Sequence, residues 1–251
     1  MTNISETKWK YLTQYNMENW GYLLERPYIQ IELTTRDMDA IITNKYGEGS
    51  RVILYDLQNA LKNTNLCGNK WFGRLSTRSM KDAFYAMTPI PLTNYIEIIE
   101  RLCDSKRVYD DVVLSRKYNT PLFLFLTRWD EKMNVRHEFR CFVKNNQLIG
   151  ISQYDLYLDL DYMECDLHKL THNIRSYINN IQYDEQYYVA DVLVDEKNNC
   201  SLIEINPYDK TTSAIHFTWR ELDSLYIRGR LTMKYKLFDN IKDYNMKITE
   251  Y

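Results

Sequence analysis

The strongest constraint on how this chain can fold is the order of elements between residues 122 and 206. The apolar run 122–126 reads as a buried strand. Strand-like segments 138–143 and 148–153 flank a turn at Lys144 to Gln147, and segments 188–195 and 200–206 flank a second turn at Glu196 to Asn199. Between these hairpins, 165–181 has helical spacing, with Leu170, Ile174, Tyr177, Ile178 and Ile181 on its apolar side. Hairpins are antiparallel by construction, and an amphipathic helix needs a sheet to cover. The expected class is therefore α+β with mainly antiparallel sheet.

The first half gives weaker signals. Residues 52–61 have helical spacing, 63–69 form a turn cluster, and 71–75 read as a strand entering the polar loop 76–80. Thr93 is the expected N-cap of a helix running to about Cys103, with Ile96, Ile99 and Leu102 on one face. Residues 1–50 show no clear period, and the chain closes on a charged tail.

Composition excludes several classes. The 251 residues are 45% hydrophobic with a formal net charge of -2, enough for a sizeable core but without the basic surplus of a general nucleic-acid binder. The longest apolar run is far too short to span a membrane, and no signal-peptide core opens the chain. Five scattered cysteines without CxxC spacing fit a reducing compartment, so a cytoplasmic protein is expected. The bias toward Tyr, Asn, Ile and Lys is what an AT-rich coding sequence produces and carries no functional weight.

The second hairpin carries the most chemistry. If Asp195 faces Cys200 across its turn, Asp191 lies opposite Glu204, and Asn206 shares the face of Glu204 by the two-residue period. Two carboxylates opposite one another repel. Either a hard cation such as magnesium lies between these oxygens, or both acids face solvent. Arg140, in a mostly apolar strand, is an ion-pair partner for Glu138 or a phosphate contact. Loop 74–83 gathers three cations and three hydroxyls after a strand, suited to polyphosphate or to a solvated turn, and lacks Walker A spacing. His168 and His172 have an i, i+4 metal-ligand spacing without a third ligand nearby.

Four strings, 74–83, 138–153, Leu-Ile-Glu-Ile-Asn-Pro at 202–207 and Phe-Thr-Trp-Arg-Glu-Leu at 217–222, occur in this order and resemble the cell division cycle protein 123 (D123) family over about residues 70–222. That family is similar to ATP-grasp enzymes. The resemblance implies two lobes with mainly antiparallel sheets and ATP bound between them: an N-terminal lobe, 1–120, with loop 74–83, and a C-terminal ATP-grasp lobe, 121–251, with hairpin 188–206. It implies ATP contacts from Arg74, Ser76, Lys81, Arg128, Trp129 and Arg140, and magnesium held by Asp191, Glu204 and Asn206.

Three departures stand out. Arg74 replaces the family's usual lysine, Glu204 its usual Asp, and Tyr154 an arginine of many members. The chain ends about 30 residues after Trp219, so part of the partner surface is expected to be missing. The resemblance implies an assembly factor for translation initiation factor 2 that acts on its gamma subunit, without membrane or direct nucleic-acid contact. The other class that fits is an ATP-grasp ligase joining a carboxylate to an amine through an acyl-phosphate; whether ATP turns over stays open. Release of ADP and phosphate in step with a modified target separates the two.

Overall fold

A computed structural model describes residues 4–46, 52–66, 68–131, 135–160, 166–238 and 240–247. The chain divides into two compact units: residues 1–21 with 26–130, and residues 22–25 with 131–251.

The first unit contains, in chain order, α1 (Glu6–Thr13), β1 (Tyr28–Glu32), α2 (Thr35–Tyr46), α3 (Tyr55–Asn63), β2 (Trp71–Leu75), α4 (Tyr95–Asp104), α5 (Lys106–Tyr118) and β3 (Phe123–Arg128). Its three strands pair antiparallel in the order β1-β3-β2. Alternation along β3 gives the sheet two different faces. Leu124 and Leu126, with Trp71 and Leu75 from β2, join Ile41, Leu57, Leu61, Ile98, Leu102 and Val112 in a buried helix-covered core. The opposite face carries Phe123, Phe125 and Thr127 beside Arg74.

Two expectations in this unit change. The N-cap of α4 is Asn94, whose side chain accepts from the N–H groups of Ile96 and Glu97, while Thr93 bonds the Glu97 carboxylate one position earlier. The buried side of α4 is accordingly Ile98, Leu102 and Cys103, and Ile96 is exposed. Helix α5 has no counterpart in the sequence reading. One residue, Ser105, ends α4 and caps α5 by accepting from Val108 N–H, so no loop-like stretch separates the helices.

The second unit adds β4 (Glu138–Lys144), β5 (Gln147–Gln153), α6 (Leu167–Asn180), β6 (Tyr187–Val194), β7 (Cys200–Pro207), α7 (Trp219–Ile227), β8 (Arg230–Leu237) and β9 (Asn240–Lys247). These strands form one sheet in the order β7-β6-β4-β5-β8-β9, antiparallel except for the β5–β8 pair. The α+β, antiparallel-rich class is as expected.

Both hairpins close differently from the expectation. Lys144 and Gln147 pair, leaving a two-residue loop in which Asn145 and Asn146 have φ of 49° and 59°. Positive φ at both central positions suits a tight hairpin turn, and Asn tolerates it better than most residues. In the second hairpin Val194, not Asp195, faces Cys200. Asp195 instead folds the loop by accepting from the N–H groups of Lys197 and Asn199. A register shift beside Asp191 then brings Asp191 opposite Glu204. The counted carboxylate pair is present because the bulge offsets the one-residue error at the turn.

Helix α6 buries Leu170, Ile174 and Ile178 as its spacing predicts, while Cys165 lies outside the described residues. On the other face of the sheet, Phe142 meets the rings of Phe217 and Trp219 edge-on. Helix α7 is held at its start by a reciprocal cap between Thr218 and Glu221.

Candidate functional site

Register places one row of polar side chains across five strands of the second sheet: Glu204, Asp191, Arg140, Ser152 and Lys234 face one another in sequence from β7 to β8. Residues paired across strands project to the same face, so pairing alone assembles them. Arg140 and Asp191 are buried within this row.

Arg140 is bound in a fork. Its Nε donates to Asp191 Oδ1 and its Nη2 to Asp191 Oδ2, each at 2.7 Å, and its Nη1 donates to the carbonyl of Ser213 at 2.8 Å. Its carboxylate partner is thus Asp191 rather than the expected Glu138. Burial works against the Arg140 charge, but Asp191, then Tyr154 and Glu204, outweigh it, so the guanidinium pKa is raised. The Tyr154 ring lies 5.0 Å from that guanidinium. Burial, then Asp191, push the Tyr154 hydroxyl up, with Arg140 pulling the other way. Asn206 Nδ2 donates to Asp191 Oδ2 at 3.3 Å.

These residues fit magnesium in donor type: two carboxylates and an amide, all hard oxygen donors. Among the described residues no group of three or more His, Cys, Asp and Glu stands ready to hold a metal ion. A dication here therefore needs phosphate or water oxygens beside Asp191 and Glu204. His168 and His172 stack on the exposed side of α6, ring centroids 6.4 Å apart.

The segment joining β7 to α7 borders this row. Ser213 supplies the carbonyl that holds Arg140, and His216 N–H donates to Ser152 Oγ at 3.3 Å. Ile215 between them has φ of 54°, costly for a β-branched residue. Sequence reasoning missed Ser213 because it acts through its backbone, which leaves no side-chain signal.

In the first unit the expected cofactor residues separate. Arg74 is buried, donates from Nε to the Leu75 carbonyl at 3.1 Å, and lies 5.5 Å from the Trp20 ring. Ser76 is buried with its hydroxyl accepting from Phe123 N–H at 2.9 Å, so it braces β2 against β3 instead of lining a phosphate loop. Arg128 is exposed, 4.3 Å from the Trp71 ring. Arg74 pairs with Phe125 and Arg128 with Trp71, three positions apart on β3, so the two arginines leave opposite faces of the sheet. Trp129 donates its backbone N–H to Lys70, and Lys81 begins a single 3-10 turn, half-exposed.

Loop 74–83 is not a freely solvated turn. Arg78 grips Asp111 of α5 with Nε at 2.8 Å and Nη2 at 2.6 Å, and Thr77 donates to the same carboxylate. Asp82 accepts from the Ser105 hydroxyl and the Arg107 N–H. Arg78 and Asp82 thereby fasten the loop to the first half of α5. Asp111 was hidden in sequence because α5 itself was.

A family model for D123 matches residues 93–250. The chain belongs to the D123 family. Among D123-type relatives, the translation initiation factor eIF2 assembly protein of Candida albicans is 33% identical over 172 residues, covering 62% of this chain and 49% of the relative. That of Xenopus laevis is 29% identical over 171 residues, covering 63% and 50%. This D123 chain spans about half the length of these curated relatives. The solved structure of Cdc123 from Schizosaccharomyces pombe overlays with a TM-score of 0.64 at 22% identity, covering 86% of this chain and 92% of that one. Its C-terminally truncated form gives 0.67 at 21% identity with the same coverage. At such identities the overlay speaks for the D123 fold alone. No helix of the described residues is long and apolar enough to cross a membrane.

Proposed function

We propose that this chain is an ATP- and magnesium-binding assembly factor for translation initiation factor 2, acting on its gamma subunit in the cytoplasm. The observation that carries the nucleotide part is the Asp191, Glu204 and Asn206 oxygen set beside the buried Arg140. Asp191, Glu204 and Asn206 would hold the magnesium, which supplies neutralisation of phosphate charge. Arg140 orients Asp191 and offers its cationic face to phosphate oxygens. For Arg74 and Lys81, in the first unit, a phosphate role rests on the family resemblance alone. We leave Ser76, tied to the backbone of β3, and Arg128, on the opposite face from Arg74, out of this proposal.

The assembly role rests on the family and on the names of its relatives, and the gamma subunit on the resemblance of the four strings. Calorimetric titration of ATP with magnesium tests the site: Glu204→Ala should lose binding while its melting curve stays near wild type. Unchanged affinity removes the site. A pull-down with purified gamma subunit, with and without nucleotide, tests the partner. Failure to capture it while ATP still binds, with ADP released in step with a modified target, would replace the assembly role by ligation.

A further inference from the structure

Two Thr-Pro dipeptides occur in the chain, Thr88-Pro89 and Thr120-Pro121, and no Ser-Pro. The fold treats them in opposite ways. Thr120 is half-buried just past the end of α5, its hydroxyl accepts from Trp9 Nε1 at 2.9 Å, and its carbonyl accepts from the Ser115 hydroxyl. Thr88 is exposed, and its hydroxyl donates within its own loop, to the Ala86 carbonyl at 3.4 Å.

The stretch around Thr88 is displayed rather than packed. Phe84 and Leu92, both on the core of the first unit, are its two ends, and Leu92 exchanges both backbone hydrogen bonds with Trp71. Between them Tyr85 is 96% exposed, and Met87 and Ile90 are exposed as well. Ala86 and Met87 take φ of 50° and 55°, a conformation that costs energy in any residue but glycine. Thr88 itself is extended, with φ of -97° and ψ of 105°, the region favoured before a proline.

We propose that Thr88 is a phosphorylation site for a proline-directed serine/threonine kinase. Such an enzyme takes its target as an extended segment, and a pocket without an acceptor for the next residue selects proline, which has no N–H to leave unmet. The Thr88 oxygen bonds to the γ-phosphorus of the kinase's ATP, and the bond from that phosphorus to the β,γ-bridging oxygen breaks. ADP leaves with the electron pair, and the hydroxyl proton passes to the kinase's catalytic carboxylate. The loop then carries an added charge of about -1.5 to -2 at neutral pH. The kinase supplies the nucleotide, so the inference stands apart from the ATP reading above.

Site mapping by mass spectrometry after incubating the full chain with ATP, with and without a purified cyclin-dependent kinase, decides it for wild type, Thr88→Ala and Pro89→Ala. Wild type should gain phosphate on Thr88 when the kinase is present. Thr88→Ala should lose that phosphate, and Pro89→Ala should gain it about tenfold more slowly, the loss expected when one N–H is left unmet. Absence of phosphate on Thr88 overturns the inference, and a peptide of residues 84–92 that is modified while the folded chain is not assigns the failure to the fold. Phosphate on Thr120 as fast as on Thr88 means that the dipeptide alone is recognised, and overturns it too. An unchanged rate in Pro89→Ala removes the proline direction, and transfer without the kinase makes the reaction the chain's own; either result likewise overturns the inference.

Discussion

Arg140 and Arg74 are equally buried, each 5% exposed, on sheets of different units, yet they are accommodated differently. Arg140 is held through both oxygens of Asp191 and a backbone carbonyl, and its pKa is raised. Arg74 rests near the Trp20 ring and donates to a carbonyl; burial lowers the pKa of Arg26, Asp130 opposes it, and the like charge of Arg74 adds a smaller push down. The first cation is part of a charge-matched pair that builds its sheet. The second lies by an aromatic ring and gives its Nε to a backbone carbonyl. Burial alone therefore says little about what a charged side chain is for; the sign of what surrounds it says more.

The largest effect should come from breaking the matched pair. Arg140→Met leaves Asp191 buried opposite a methyl group and should cost about 3 to 5 kcal/mol, read from denaturant unfolding. The double change Arg140→Met with Asp191→Leu should recover most of that loss, because it removes the orphaned charge. No recovery would mean that the Ser213 carbonyl, rather than the carboxylate, dominates the environment of Arg140.

Next comes the anchor of loop 74–83. Asp111→Asn removes the charge that Arg78 and Thr77 share, and should cost about 2 kcal/mol, since Arg78 can turn to solvent. Limited proteolysis should then cut the loop faster than it does in the wild type. A third comparison is direct: Arg74→Met keeps the aliphatic stem against Trp20 and should cost only about 1 kcal/mol. A loss as large as that of Arg140→Met would break the contrast between the two arginines.

The smallest effect is on pH. Burial lowers the His216 pKa below its ordinary 6.5. The folded protein then binds this proton less readily than the unfolded chain. The contribution is fully present above pH 6.5 and is lost as pH falls below it. Melting temperatures of wild type and His216→Gln, compared at pH 7.5 and pH 5.5, should show the wild type losing more on acidification.

What could be read in the sequence followed the range of the interaction behind it. The strands of the second unit were legible because side-chain alternation is local, and the Asp191–Glu204 pairing followed from counting. The bulge that makes the count succeed was not legible, since nothing in the residues near 203 announces it. Helix α5 escaped because its cap doubles as the end of α4. Partners were hardest to read. Arg140 chose Asp191, 51 positions away, over Glu138 two positions away, because cross-strand neighbours sit closer in space than same-face neighbours along one strand. Arg74 and Arg128 looked like members of one phosphate set, and three positions of register put them on opposite faces.

Residues 22–25 belong to the second unit although residues on both sides of them belong to the first. Tyr22 donates its hydroxyl to the Gln182 carbonyl at 3.2 Å, and burial raises the pKa of Tyr177 and Cys200 with Glu25 adding a smaller push. The polypeptide thus passes from one unit to the other three times, and no single scission sorts its residues by unit. A fragment starting at residue 131 would be missing one of its own pieces. Any dissection of this molecule into halves has to return the tetrapeptide 22–25, in trans or by splicing it onto the C-terminal half, before the behaviour of that half says anything about the intact chain.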